Sequence, residues 1–136
     1  MVSTEAALIY TMVIVSAADS DMTDAELSTI GEIVRHLPVF ADYDPNMLPE
    51  TARSCADILR EEDGMATVLG VIRESVPAPL RETAYALAIE IAAVDRNVEP
   101  EEKRLLQLIR QGLEIDPLIA AAIERAAQAR FARPTG

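Results

Sequence analysis

Residues 17–26 read Ala17-Ala18-Asp19-Ser20-Asp21-Met22-Thr23-Asp24-Ala25-Glu26. Residues 93–102 read Ala93-Val94-Asp95-Arg96-Asn97-Val98-Glu99-Pro100-Glu101-Glu102. Aligned at a constant offset, the two stretches share a leading Ala and an Asp, then a hydrated side chain (Asp21, Asn97). An aliphatic residue (Met22, Val98) and a Glu (Glu26, Glu102) complete the match. A run of small and aliphatic residues precedes each stretch, and an amphipathic helical pattern follows it. The repeated unit is therefore an apolar helix, an acidic turn and an amphipathic helix.

Working outward, Ser3 or Thr4 is suited to cap a first helix reaching about Ala18. Its apolar residues, Leu8, Ile9, Tyr10, Met12, Val13, Ile14 and Val15, cover nearly the whole circumference, the mark of a central helix. Thr23 and Glu26 have capping-box spacing ahead of a second helix, in which Leu27, Ile30, Val34 and Leu37 form the apolar face. Pro38 stops it. Asp44-Pro45 and Leu48-Pro49 both look like helix starts. A third helix carries Ala52, Cys55, Ile58 and Leu59 and ends near Gly64, expected as its C-terminal cap. A fourth carries Met65, Val68, Leu69 and Ile72.

Pro77-Ala78-Pro79 is the seam between the halves. The helix after it, over about 79–94, is the counterpart of the first. Pro100 opens the next, whose Leu105, Leu106, Leu108, Ile109 and Leu113 face inward. Asp116-Pro117 caps a last helix running to about Phe131, and the tail from Arg133 to Gly136 is expected to fray. No strand-like alternation occurs. The expected fold is all-α, one domain over residues 1–132, with roughly seven helices and a duplicated helical pair at its centre.

Composition agrees. The chain has 136 residues, enough for one domain with a real core, and half of them are apolar although only two Phe, three Tyr and no Trp are present. Such a core is built from aliphatic residues and alanine, which favours helices over a sheet. The net charge of −11, with no Lys/Arg run except a thin tail of Arg125, Arg130 and Arg133, makes nucleic acid a poor partner. A basic protein surface or a cation suits the chain better. Cys55 is the single cysteine, so there is neither an internal disulfide nor a thiolate metal site. The apolar run Ala6 to Ala18 follows Met1-Val2-Ser3-Thr4-Glu5, which holds an acid and no base, and it is too short to span a bilayer. A cytoplasmic protein without membrane insertion is expected, and a homodimer is one expected assembly.

The acidic turns are the candidate site. Asp24, Glu26, Glu101 and Glu102 stand where a helix dipole favours negative charge. Asp19 and Asp95 end the preceding helices, where the same dipole disfavours it. They require hydrogen bonds from the next helix's free N–H groups or a cation among the carboxylates. Oxygen donors from Asp19, Asp21 and Glu26, or from Asp95, Asn97 and Glu102, suit a hard divalent cation. The calcium-loop template does not fit: its sixth and twelfth positions, Gly and Glu, are Asp24 and Ile30 in one stretch and Pro100 and Leu106 in the other.

Elsewhere Glu90 interrupts an apolar helix, read as a rim residue reaching solvent or an arginine such as Arg81 or Arg104. The alternative is a small-ligand or enzyme site between the central helices, using Glu90 with Tyr85 or Tyr10. His36, the only histidine, follows Glu32 by four residues and lacks the Glu-x-x-His spacing of a di-iron bundle. No Ser-His-Asp set and no Gly-rich phosphate loop is present, and nothing reads as catalytic.

At these turns the chain resembles the TerB-like tellurite-resistance family, whose domain also occurs in membrane-anchored J-domain co-chaperones. The residues that carry the likeness are Ala17-Ala18-Asp19 with Met22 and Glu26, and Ala92-Ala93-Val94-Asp95 with Val98 and Glu102. The resemblance covers roughly residues 4–130. It implies an all-helical fold with an internal duplication and a link to stress and tellurium-oxyanion resistance. It also implies a divalent cation (Ca, Mg, Mn or Zn) at Asp19, Asp21, Glu26, Asp95 and Glu102. The family's Asp-Gly at the turn is here Asp19-Ser20 and Asp95-Arg96. Arg96 beside Asp95 weakens a cation site in the second half.

Overall fold

A computed structural model describes residues 1–18, 24–94 and 100–134. Among these residues there are seven α-helices and no strand: α1 (Thr4–Ala17), α2 (Asp24–His36), α3 (Leu48–Leu59), α4 (Gly64–Ser75), α5 (Arg81–Val94), α6 (Pro100–Gly112) and α7 (Pro117–Arg130). Three short 3-10 turns, Pro38–Phe40, Pro45–Met47 and Ala78–Leu80, join them. Each begins at or next to a proline that breaks the regular helical pattern.

Helix α1 is the axis of the molecule. Every residue from Ala7 to Ser16 is buried, as expected of a helix apolar on all sides. It packs mainly against α5, α3 and α4, with further contacts to α2 and α6. Its two buried hydroxyls cost little, because Thr11 Oγ1 donates to the Ala7 carbonyl at 2.8 Å and Ser16 Oγ to that of Met12 at 3.1 Å. Ser3 caps the helix, its Oγ accepting from the Ala6 N–H at 3.1 Å. Helix α5, the counterpart in the second half, buries Ala84, Tyr85, Leu87, Ala88, Ile91 and Ala92 between α1 and α7.

Two local expectations are corrected. Gly64 does not cap α3; it is the first residue of α4, and the left-handed position belongs to Asp63 at φ 59°. Gly64 is glycine because the start of α4 runs against the end of α3: a Cβ there would lie 2.3 Å from the Ile58 carbonyl oxygen. Leu27 is not in the core. It is 48 % exposed, while Ile30, Ile33 and Val34 carry the buried face of α2.

The end of α6 also uses a left-handed residue that is not glycine. Glu114, at φ 55°, lets the Ile115 N–H reach the Arg110 carbonyl and its own N–H reach that of Gln111, both at 3.1 Å. This double closure satisfies carbonyls that the helix end would otherwise leave open. The chain then turns into α7, where Asp116 Oδ1 accepts from the Leu118 N–H at 2.8 Å and Pro117 occupies the first helical position.

Candidate functional site

Of the five carboxylates expected at the acidic turns, Asp19, Asp21 and Asp95 lie outside the described residues, as do Thr23 of the capping box and Asn97. Glu26 and Glu102 are described, and they share one environment. Each sits in the first turn of the helix that follows its acidic stretch, and each is buried, at 2 % and 0 % exposure. Both are engaged in polar interactions of the fold. The neighbouring acids Asp24 and Glu101 are exposed. Those exposed acids suffice to complement the helix dipole, which an acid can do from the surface. Burial of the other two answers a different requirement, since a carboxylate leaves water only where polar or charged partners replace it.

Among the described residues, no three of His, Cys, Asp and Glu come together to hold a metal ion. His36 is at the far end of α2, with Nε2 3.3 Å from Glu32 Oε2 on the exposed face. Cys55 is fully buried, and burial pushes its thiol up to about 12. Neither belongs to the acidic turns. By sequence, the side chains of the acidic stretches are mainly oxygen-bearing, the chemistry of a hard cation.

Glu90 reaches an arginine, but not one of those expected. Its Oε1 accepts from Arg130 Nη1 at 3.0 Å, because α7 lies along α5 and brings its last turn alongside. Arg81 instead meets Glu114 at 3.4 Å, and Arg104 reaches Gln107 at 3.5 Å. Tyr10 is buried in α1, facing Ser54 and Cys55 of α3, and burial raises its phenol above the usual value.

A feature not foreseen in the sequence lies between α5, α6 and α7: an open cleft of about 660 Å³. Glu90 is not among its lining residues. Tyr85 and Ile89 of α5 form part of the floor, and each side helix contributes residues at i, i+4 and i+7. On α6 these are Lys103, Gln107 and Arg110; on α7 and its C-terminal cap they are Glu124, Gln128 and Phe131. The spacing was visible in the sequence, but only the packing of three helices turns it into one concavity. Tyr85 donates to Glu124 Oε2 at 2.5 Å across the floor. Burial and that carboxylate raise its phenol pKa, with Arg110 opposing.

The described helices thus form an all-α domain with a repeated helical pair and a buried glutamate heading the second helix of each pair. The model of the family described as tellurite resistance protein TerB matches residues 5–128, so the chain belongs to the TerB family. No curated protein and no solved structure shows a significant match to the chain. Among the described residues, no helix is long and apolar enough to cross a membrane.

Proposed function

We propose that this chain is a non-enzymatic TerB module that binds a divalent cation at its acidic inter-helix segments. Its acidic surface then engages a basic protein partner, in a cytoplasmic stress response of the kind the family's name suggests. The observation that carries this reading is the matched burial of Glu26 and Glu102. A duplicated unit that places a buried first-turn carboxylate at the same point of both copies, beside further acids in sequence, gathers oxygen donors in each half. The first is the better one, since Asp19 and Asp21 are joined there by no arginine, whereas Arg96 adjoins Asp95.

The test is thermal melting of the chelator-treated chain, alone and with millimolar Ca²⁺, Mg²⁺, Mn²⁺ or Zn²⁺. A ligand that binds only the folded state stabilises it by about 2.7 kcal/mol at a hundredfold excess over Kd. A hard cation is expected to raise Tm, and Asp19→Asn with Glu26→Gln to remove most of the rise. An unchanged Tm with every ion would sink the proposal.

A further inference from the structure

The cleft between α5, α6 and α7 adjoins the second acidic stretch, since Ala93 and Lys103 stand at its two ends, but its described lining has its own chemistry. We propose that it binds a small organic anion with an apolar body, such as a medium-chain carboxylate. Its volume, about 660 Å³, falls in the range of small-ligand sites, roughly 300–1,000 Å³. Alanines make the room: Ala92 and Ala93 on α5 and Ala127 on α7 line it where larger side chains would close it. Ile89, Leu106 and Phe131 give an apolar surface that remains accessible, none of the three being fully buried.

Charge selects the ligand's sign. In a chain with 23 acids against 12 bases, the described cleft residues are two cations, Lys103 and Arg110, against one carboxylate, Glu124. Lys103 is the only lysine of the protein. Among the described residues neither Lys103 nor Arg110 forms an ion pair, whereas Glu124 already accepts the Tyr85 hydroxyl at 2.5 Å. The two cations stand seven residues apart on one helix face, a rise of about 10 Å. An anionic group therefore finds a donor near either end while the apolar body lies over Ile89 and Leu106. Arg110 adds a planar fork suited to a carboxylate.

The experiment titrates the chelator-treated chain with sodium decanoate, followed by amide NMR and calorimetry, with decanol as the uncharged comparator. Decanoate is expected to shift amides of α5, α6 and α7 and to bind at least tenfold more tightly than decanol. Lys103→Gln with Arg110→Gln, the first exposed and the second half-buried along the cleft wall, is expected to erase that tenfold preference. Gln128→Trp, an exposed position on the cleft wall, is expected to weaken both ligands by filling the space. Decanoate that binds no better than decanol, that binds the double variant as well as the parent, or that fails to bind at millimolar concentration would overturn the proposal. Chelation keeps this result independent of cation binding at the turns.

Discussion

The Tyr85 hydroxyl donates to Glu124 Oε2 at 2.5 Å, tying the middle of α5 to α7 across the floor of the cleft. The ring is 2 % exposed, so its hydroxyl has little access to water as an alternative partner. Hydrogen bonds to charged groups contribute about 1.5–3 kcal/mol. Glu124 is only half-buried and can recover water, which places Tyr85→Phe near the lower end, about 1.5 kcal/mol. Urea unfolding checks this through the midpoint at unchanged slope. Glu124→Gln keeps an acceptor and is expected to cost less.

The same bond gives a pH dependence. Burial, then the hydrogen bond to Glu124 and its charge, raise the Tyr85 phenol in the folded state. The unfolded phenol titrates near pH ~10. A group whose folded pKa lies higher contributes its full stabilisation below that pH and loses it as the pH climbs toward the folded value. Stability is therefore expected to fall above pH ~10. Tyr85→Phe should flatten part of that fall, and urea midpoints measured from pH 8 upward would show an identical slope in both proteins if Tyr85 played no part.

One substitution type should have opposite signs at two glycines of α4. At Gly64 a new Cβ would meet the Ile58 carbonyl oxygen at 2.3 Å and the Leu59 backbone at 2.8 Å. Gly64→Ala must push the two helices apart, at a cost of about 1–3 kcal/mol. At Gly70, exposed in the same helix, nothing lies within 4 Å. Gly70→Ala only removes backbone freedom from the unfolded chain and should stabilise by about 0.5–1 kcal/mol. Thermal melting of the two variants decides it, and equal shifts would refute the close approach of α3 and α4.

Glu114 offers a third backbone test. It holds φ 55° at the end of α6 and pairs with Arg81 at 3.4 Å from a largely exposed position. Removing the charge with Glu114→Gln should cost only about 0–1 kcal/mol. Glu114→Gly loses the same ion pair but relieves a left-handed strain of roughly 1–2 kcal/mol for a residue with a side chain. The glycine variant is expected to be the more stable of the two, and the reverse order in Tm would show that the strain is absent.

What the sequence could reveal follows from the range of the forces involved. Helix α1 was legible because an all-round apolar surface has one physical outcome, and the proline and Ser3 signals act within a few residues. Gly64 was misplaced because both a C-terminal cap and a close helix crossing demand glycine, and only the neighbouring backbone tells them apart. Glu90 was read correctly as a rim residue, but its arginine could not be chosen, since that depends on α7 lying along α5. The cleft escaped for the same reason: nothing local in the sequence brings Lys103, Arg110 and Glu124 together until three helices are set side by side. At the acidic turns, local reasoning placed Glu26 and Glu102 in first turns, but dipole preference gave no hint that both would be buried.

Cys55, buried on α3, reports on the contact of that helix with α1. Its side chain is fully buried, and burial pushes the thiol up to about 12, against roughly 8.5 in an unfolded chain. The reactive species is the thiolate, so two barriers act together: no access, and no ionisation at working pH. Native protein at pH 8 is expected to resist iodoacetamide, with labelling that rises along the same urea curve as the loss of helical circular dichroism. Since the folded thiol stays protonated, raising the pH to 9.5 should speed labelling of the unfolded chain but barely that of the native one. Rapid native labelling at pH 8 would mean that α3 opens from α1 without global unfolding.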